Sequence, residues 1–188
     1  MSGAAVHPSE LATETHFETP TEEPVAKKPA PEGLSMVLFS GDLDKVLAAF
    51  IIANGAAAMD LPVSIFFTFW GLNVLRREGP VMVAHKKTMT EGMFGRMMPR
   101  GADHLHLSQM NMAGLGTRMI KREMTKKHVN SLAELIRSAQ EQGVRFIACT
   151  MSMNLMGIRE EELLPGIQFG NVGSFIDAAD QSRITLFI

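Results

Sequence analysis

Val144-Arg145-Phe146-Ile147-Ala148-Cys149-Thr150-Met151-Ser152-Met153 joins a solid apolar run to a segment of helical character. After Arg145 the run is too evenly apolar for a strand with one wet face. It suits a strand buried on both sides, as in a parallel sheet covered by helices. Upstream, Ser131-Leu132-Ala133-Glu134 has capping-box spacing and opens a helix with Leu132, Leu135, Ile136 and Ala139 on one face; Gly143 stops it. Downstream, Met151–Gly157 reads as a short helix. A helix, a buried strand and a helix in succession are the unit of an α/β fold.

Nearer the N-terminus, Leu34-Ser35-Met36-Val37-Leu38-Phe39 reads as the first strand. It ends at Ser40-Gly41-Asp42, where Asp42 is placed to N-cap a helix over about 43–58. Pro62 marks a restart and Val63–Phe69 is the second strand. Val81-Met82-Val83-Ala84 reads as a short third one. Asn171 is placed to cap a last helix running through about Gln181, and Arg183–Ile188 closes as a terminal strand. The expected architecture is a mostly parallel sheet with helices on both faces, a three-layer α/β sandwich. No internal repeat is visible.

Between Val46 and Leu72 the one charge is Asp60, and hydropathy alone would suggest a membrane span. Asn54-Gly55 and Asp60-Leu61-Pro62 divide the stretch into halves shorter than the roughly 18–20 residues a spanning helix needs. The first half is Ala-rich and helical; the second is β-branched and aromatic. A buried helix followed by a buried strand gives the same hydropathy, so membrane contact is not expected.

The 188 residues carry a net charge of −2, unevenly spread. Residues 1–33 hold six acidic residues against Lys27 and Lys28, with five of the nine prolines. Such a segment cannot repay its ordering entropy and reads as a disordered tail. It lacks the basic start and apolar core of a secretory signal. Residues 34–188 form the expected single domain. Within it, residues 76–127 carry eleven basic residues against four acidic ones, and nine of the fifteen methionines. This Met-rich basic segment, dotted with glycines, reads as irregular structure with short helices and as a surface for a partner or a second copy. The overall balance gives no sign of nucleic-acid binding. One cysteine excludes an intrachain disulfide and, by itself, a cysteine-rich zinc site, which makes a reducing cytoplasm the expected compartment.

Cys149 is the sharpest chemical feature. It falls where a buried strand runs into a helical turn, the position at which open α/β sheets bind ligands. A thiol facing the first amides of a helix is stabilised as thiolate; a buried cysteine is instead a small inert hydrophobe. Both readings stand on spacing alone. Thr150 and Ser152 flank it. Asp42, ending the first strand, and Trp70 and Asn73, following the second, could share the same rim. His104 and His106 would lie on one side of a strand, but no third strong ligand lies nearby, so solvated loop histidines are expected and no metal. Met93, Met97, Met98, Met110 and Met112 read as adaptable surface filler rather than soft-metal ligands. Glycine-rich dinucleotide, P-loop and Gly-x-Ser-x-Gly motifs are all missing, so no nucleotide cofactor is expected.

Arg145-Phe146-Ile147-Ala148-Cys149-Thr150-Met151-Ser152-Met153-Asn154-Leu155-Met156-Gly157-Ile158 resembles the DsrE/DsrF-like family of sulfur-handling proteins, closest to the branch labelled peroxiredoxin-like. Val37–Lys45, Phe66–Gly71 and Leu115-Gly116-Thr117-Arg118-Met119 add to the likeness, which spans roughly residues 34–188. The resemblance implies a parallel α/β sandwich, homo-oligomers, and a cysteine, here Cys149, that holds sulfane sulfur as a persulfide. It implies TusA-like carriers or rhodaneses as partners. Some relatives have a further cysteine that this chain lacks, which leaves transfer of one sulfur as the simpler case. Whether the chain is a catalytic sulfurtransferase or a passive carrier is open at this point. So are two alternatives, an interaction module with an inert cysteine and a one-cysteine thiol peroxidase.

Overall fold

The computed structural model describes residues 32–79, 81–83 and 87–188. The chain runs β1 (Gly33–Leu38), α1 (Leu43–Ala57), β2 (Val63–Phe67), a 3-10 turn (Phe69–Leu75), α2 (Met89–Met97) and α3 (Leu115–Lys126). It continues through α4 (Leu132–Glu141), β3 (Arg145–Cys149), α5 (Thr150–Met156), β4 (Gln168–Gly170), α6 (Val172–Asp180) and β5 (Ser182–Phe187). The five strands form one sheet in the order β4-β3-β2-β1-β5, and every pairing is parallel.

Alternation along the strands sorts side chains onto two faces. Met36, Leu38, Ile65, Phe67, Phe146 and Ala148 point to one face and pack beneath α1 and α4 through Val46, Ala49, Phe50, Ala53, Leu135 and Ile136. Phe50, Phe67 and Phe146 meet there with ring centroids 5.5–6.3 Å apart, in the tilted and edge-on arrangements that aromatic quadrupoles favour. On the opposite face Val37, Phe66, Ile147 and Cys149 form a smaller cluster under Phe175 of α6. The sheet is therefore covered on both sides, as its apolar strands require.

The capping box at α4 forms as its spacing implies. Ser131 Oγ accepts the Glu134 N–H at 3.3 Å, and Glu134 Oε2 accepts the Ser131 N–H at 2.7 Å. Asn171 caps α6 in the same way, its Oδ1 accepting the Ser174 N–H at 3.3 Å. The apolar stretch after Val46 divides into α1 and β2, and among the described residues no helix is long and apolar enough to cross a membrane.

Two expectations need correction. Residues 81–83 form no strand, and Met82 is 95% exposed; both sheet edges are already occupied, by β4 and β5. Ala84 and residues 1–31 of the proposed tail lie outside the described residues. The basic segment holds, besides short turns, the full twelve-residue α3. Gly116 sits where a Cβ would come within 2.0 Å of the Met110 carbonyl oxygen, so this glycine serves close packing rather than breaking the helix.

Candidate functional site

All strands run the same way, so β1, β2 and β3 deliver their exits to one edge of the sheet, where open α/β folds hold their ligands. The exits of β1 and β2 press together. A Cβ on Gly71 would come within 2.1 Å of the Leu38 carbonyl oxygen, and one on Gly41 within 2.9 Å of the Trp70 carbonyl oxygen. The Gly71 N–H donates to the Phe39 carbonyl at 2.9 Å. Phe69 takes a positive φ of 45° in this tight connection.

Cys149 ends β3, opposite Gly170 of β4, and α5 begins at the next residue. Its place at the end of a central strand is as read from the sequence. Of the two arrangements left open by spacing, an amide-facing thiol and a buried one, the structure has the buried one: Cys149 is 1% exposed and makes no capping hydrogen bond to α5. The pleat explains this. Cys149 lies two residues after Ile147 and shares its face, so the sulfur stands beneath α6 among Val37, Phe66, Ile147 and Phe175 instead of leaning along the strand toward the helix amides.

Thr150 and Ser152 tie this corner together. Thr150 Oγ1 donates to the Gly170 carbonyl at 3.2 Å, fastening α5 to β4. Ser152 is fully buried and its hydroxyl lies 2.7 Å from that of Thr68, linking α5 to the exit of β2.

Asp42, Trp70 and Asn73 come together, as lining of a cavity of about 450 Å³ at the exits of β1 and β2. Phe39, Lys45 and His106 complete its chemically distinctive wall; Cys149, Thr150 and Ser152 do not line it. Asp42 holds the N-cap position of α1, but its side chain makes no capping bond. Its carboxylate accepts from Lys45 Nζ at 2.7 Å, while its own backbone N–H donates to Ser40 Oγ at 3.1 Å. Trp70 is 48% exposed, whereas Asn73 is 1% exposed and its Oδ1 has no hydrogen-bond partner among the described residues. Sequence reading missed Lys45, although its spacing of three from Asp42 on a helix start was the available signal.

His104 and His106 are both exposed; His104 Nδ1 lies 2.9 Å from the Arg100 carbonyl oxygen. Among the described residues no group of three or more His, Cys, Asp or Glu side chains is placed to hold a metal.

The electrostatic centre of the molecule is Glu162, 3% exposed. Its carboxylate lies 2.5 Å from Lys87 Nζ, 3.4 Å from Arg76 Nη2 and 3.7 Å from Arg100 Nη2, and accepts the Arg159 N–H at 2.9 Å. Burial pushes its pKa up, but the Lys87 and Arg159 hydrogen bonds and the charges of Lys87 and Arg76 outweigh this and hold it below the usual glutamate range. Burial and the neighbouring Arg100 charge lower the pKa of Arg76, which is 1% exposed, and the Glu162 carboxylate compensates only in part. One carboxylate serves three cations here. The cluster binds the basic segment to the sheet domain, and only its long range in sequence hid it from the sequence reading.

The DsrE/DsrF/DrsH-like family model matches residues 31–187. The uncharacterized protein YrkE of Bacillus subtilis is 54% identical over 154 residues, covering 82% of this chain and 95% of its own. The sulfur carrier protein DsrE2 of Allochromatium vinosum is 34% identical over 159 residues, covering 82% and 97%. A solved structure of a protein of unknown function, MTH1491 from Methanobacterium thermoautotrophicum, has the same fold, with a TM-score of 0.50 at 15% identity over 84% of this chain and 99% of that one. The chain belongs to the DsrE/DsrF/DrsH-like family.

Proposed function

We propose that the protein is a cytoplasmic sulfur carrier that holds sulfane sulfur as a persulfide on Cys149. The observation that carries the reading is the 34% identity, over nearly the whole of the relative, to a protein named a sulfur carrier. The sole cysteine at the end of a central strand supports it. In the first half-reaction the Cys149 thiolate attacks the outer sulfur of a donor persulfide. The S–S bond of the donor breaks, its inner sulfur leaves as a thiolate with the bonding pair, and Cys149–S–SH remains, the proton staying on the transferred sulfur. In the second, an acceptor thiolate attacks the terminal sulfur and Cys149 leaves as thiolate, so no external oxidant or reductant is consumed. The donor or acceptor is a TusA-like carrier or a rhodanese, steered by the basic surface of residues 76–127. With Cys149 1% exposed, either partner reaches the sulfur only after α6 and Phe175 move off it. The apolar residues left outside on α6, Val172 and Ile176, are over half exposed and four apart on one helical face, which supports a homo-oligomer.

The test is to incubate the protein with polysulfide and weigh it intact. One added sulfur atom, removable by cyanide and missing from Cys149→Ser, is expected; the same mass gain in both proteins, or no gain in either, overturns the reading. The same burial favours a second reading, an interaction module whose cysteine is an inert hydrophobe. In that case Cys149 alkylates only on global unfolding, and partner binding is unchanged in Cys149→Ser.

A further inference from the structure

Among the described residues, α3 is a helix without a cover: of Leu115–Lys126 only Thr117 is buried. A helix of this length is marginal in water on its own and owes its stability to the packing of one face. The uncovered surface of α3 mixes apolar and basic side chains. Leu115, Met119 and Ile120 are 59%, 62% and 40% exposed. Arg118, Arg122 and Lys126 follow Leu115 at helical spacing, on one side of the helix. A groove of about 510 Å³ adjoins it, where Leu115, Arg118 and Lys121 share the wall with Met97, Met98 and Leu105. Thioethers give a docking chain an adaptable apolar surface.

Charge selects the occupant. Residues 115–127 hold Arg118, Lys121, Arg122, Lys126 and Lys127 against Glu123 alone. Lys121 and Lys126 have a carboxylate at 3.9 Å and 2.6 Å, but Arg118, Arg122 and Lys127 have none within 4.0 Å among the described residues. A second α3 laid on the first brings like charges together, which is costly. The complementary pattern is in the chain itself. Residues 10–23 hold five glutamates and no lysine or arginine, with Leu11 and Phe17 among them; they lie outside the described residues. The fifteen residues from Glu18 to Gly33 reach up to about 50 Å, against about 20 Å for the length of β1. The groove is at the far end of β1, since His106 in its wall accepts the Leu43 N–H at 2.8 Å where α1 begins. The connection is therefore long enough, and tethering supplies an effective concentration of about 1 mM, so weak contacts suffice. We propose that residues 10–23 dock on α3 and its groove, with their glutamates on Arg118, Arg122 and Lys127 and with Leu11 and Phe17 on the methionines.

The docking does not rest on the carrier reading. On that reading it has a consequence, because tail and partner then compete for the same cations and exclude one another. The test uses the full chain. A carbodiimide joins a carboxylate to an ammonium it already touches, and the crosslinked peptides are identified by mass spectrometry. Bonds from residues 10–23 to Lys121, Lys126 or Lys127 are expected, and they are lost in about 1 M salt, where charges are screened beyond about 3 Å. Chains labelled with light and heavy nitrogen are mixed before reaction, and the bonds should stay within one chain. Methionine oxidation by dilute peroxide gives a second readout. A docking Kd of about 0.1 mM keeps the tail in place about nine-tenths of the time. Replacing Glu10, Glu14, Glu18, Glu22 and Glu23 together by Gln then speeds oxidation of Met97 and Met119 about tenfold. Met59, 73% exposed just past α1, keeps its rate. Crosslinks in equal yield to Lys45 and other lysines outside α3, bonds formed only between different chains, or unchanged oxidation in the glutamine variant overturn the proposal. Persulfide loading without these crosslinks refutes the docking alone; crosslinks in a chain that takes up no sulfur refute the carrier alone.

Discussion

Glu162→Gln removes the one negative charge at the centre of the buried cation cluster while keeping the side chain's shape. The Arg76 guanidinium, 1% exposed, then keeps its hydrogen bonds to the carbonyls of Gly95 and Pro99 but has no carboxylate within 4.0 Å among the described residues. Breaking a buried pair on one side costs about 3–5 kcal/mol. Lys87 and Arg100 retain some access to water, at 14% and 33% side-chain exposure, which places the expected loss at the lower end, about 3 kcal/mol. For a chain of this length that is a fall in Tm of about 6–12 °C, read by thermal denaturation monitored by circular dichroism. The pH dependence has a fixed sign. The folded pKa of Glu162 is held below its ordinary 4.5, so its contribution is fully present above that value and is lost as pH falls through the lowered folded pKa. Glu162→Gln should therefore flatten the acid limb of the wild-type Tm profile. A Tm within about 1 °C of wild type, with an unchanged acid limb, would refute the account of Glu162 as the hub.

Gly71→Ala places a methyl group 2.1 Å from the Leu38 carbonyl oxygen and should lower stability by about 1–3 kcal/mol, measured by urea denaturation. Ser131→Ala removes the α4 capping box and should cost about 1 kcal/mol in the same assay, without altering Cys149 loading. Methylating reagents should modify native Cys149 far more slowly than the denatured thiol, with the rate rising in low urea as α6 loosens; a native rate equal to the unfolded one would show that the sulfur is open.

Strands buried on both faces announced themselves: Leu34–Phe39, Val63–Phe69 and Val144–Cys149 each lie within two residues of an observed strand. Parallel strands need no alternation, so continuous apolar runs were sufficient. β4 escaped notice because it is three residues, Gln168–Gly170, on the sheet edge, with no apolar run of its own. The gathering of Asp42, Trp70 and Asn73 followed from topology, since consecutive parallel strands deliver their exits to one edge. The direction of the Cys149 side chain did not follow from its position at a strand–helix junction. It is set by pleat parity relative to Ile147 and by the packing of α6, whose Phe175 is 26 residues farther along the chain. The Glu162 cluster was equally invisible, because its cations come from Arg76, Lys87 and Arg100 and no local spacing links them to a carboxylate so far downstream.

The most direct test of the central claim is a single-turnover transfer. Protein carrying radiolabelled sulfane sulfur is mixed with a TusA-like acceptor, and label on both proteins is followed in time. Label should leave Cys149 and arrive on the acceptor thiol at one common rate, slowed when α6 is crosslinked in place. Label that stays on the protein, or that escapes as free sulfide while the acceptor remains unlabelled, would contradict a carrier role.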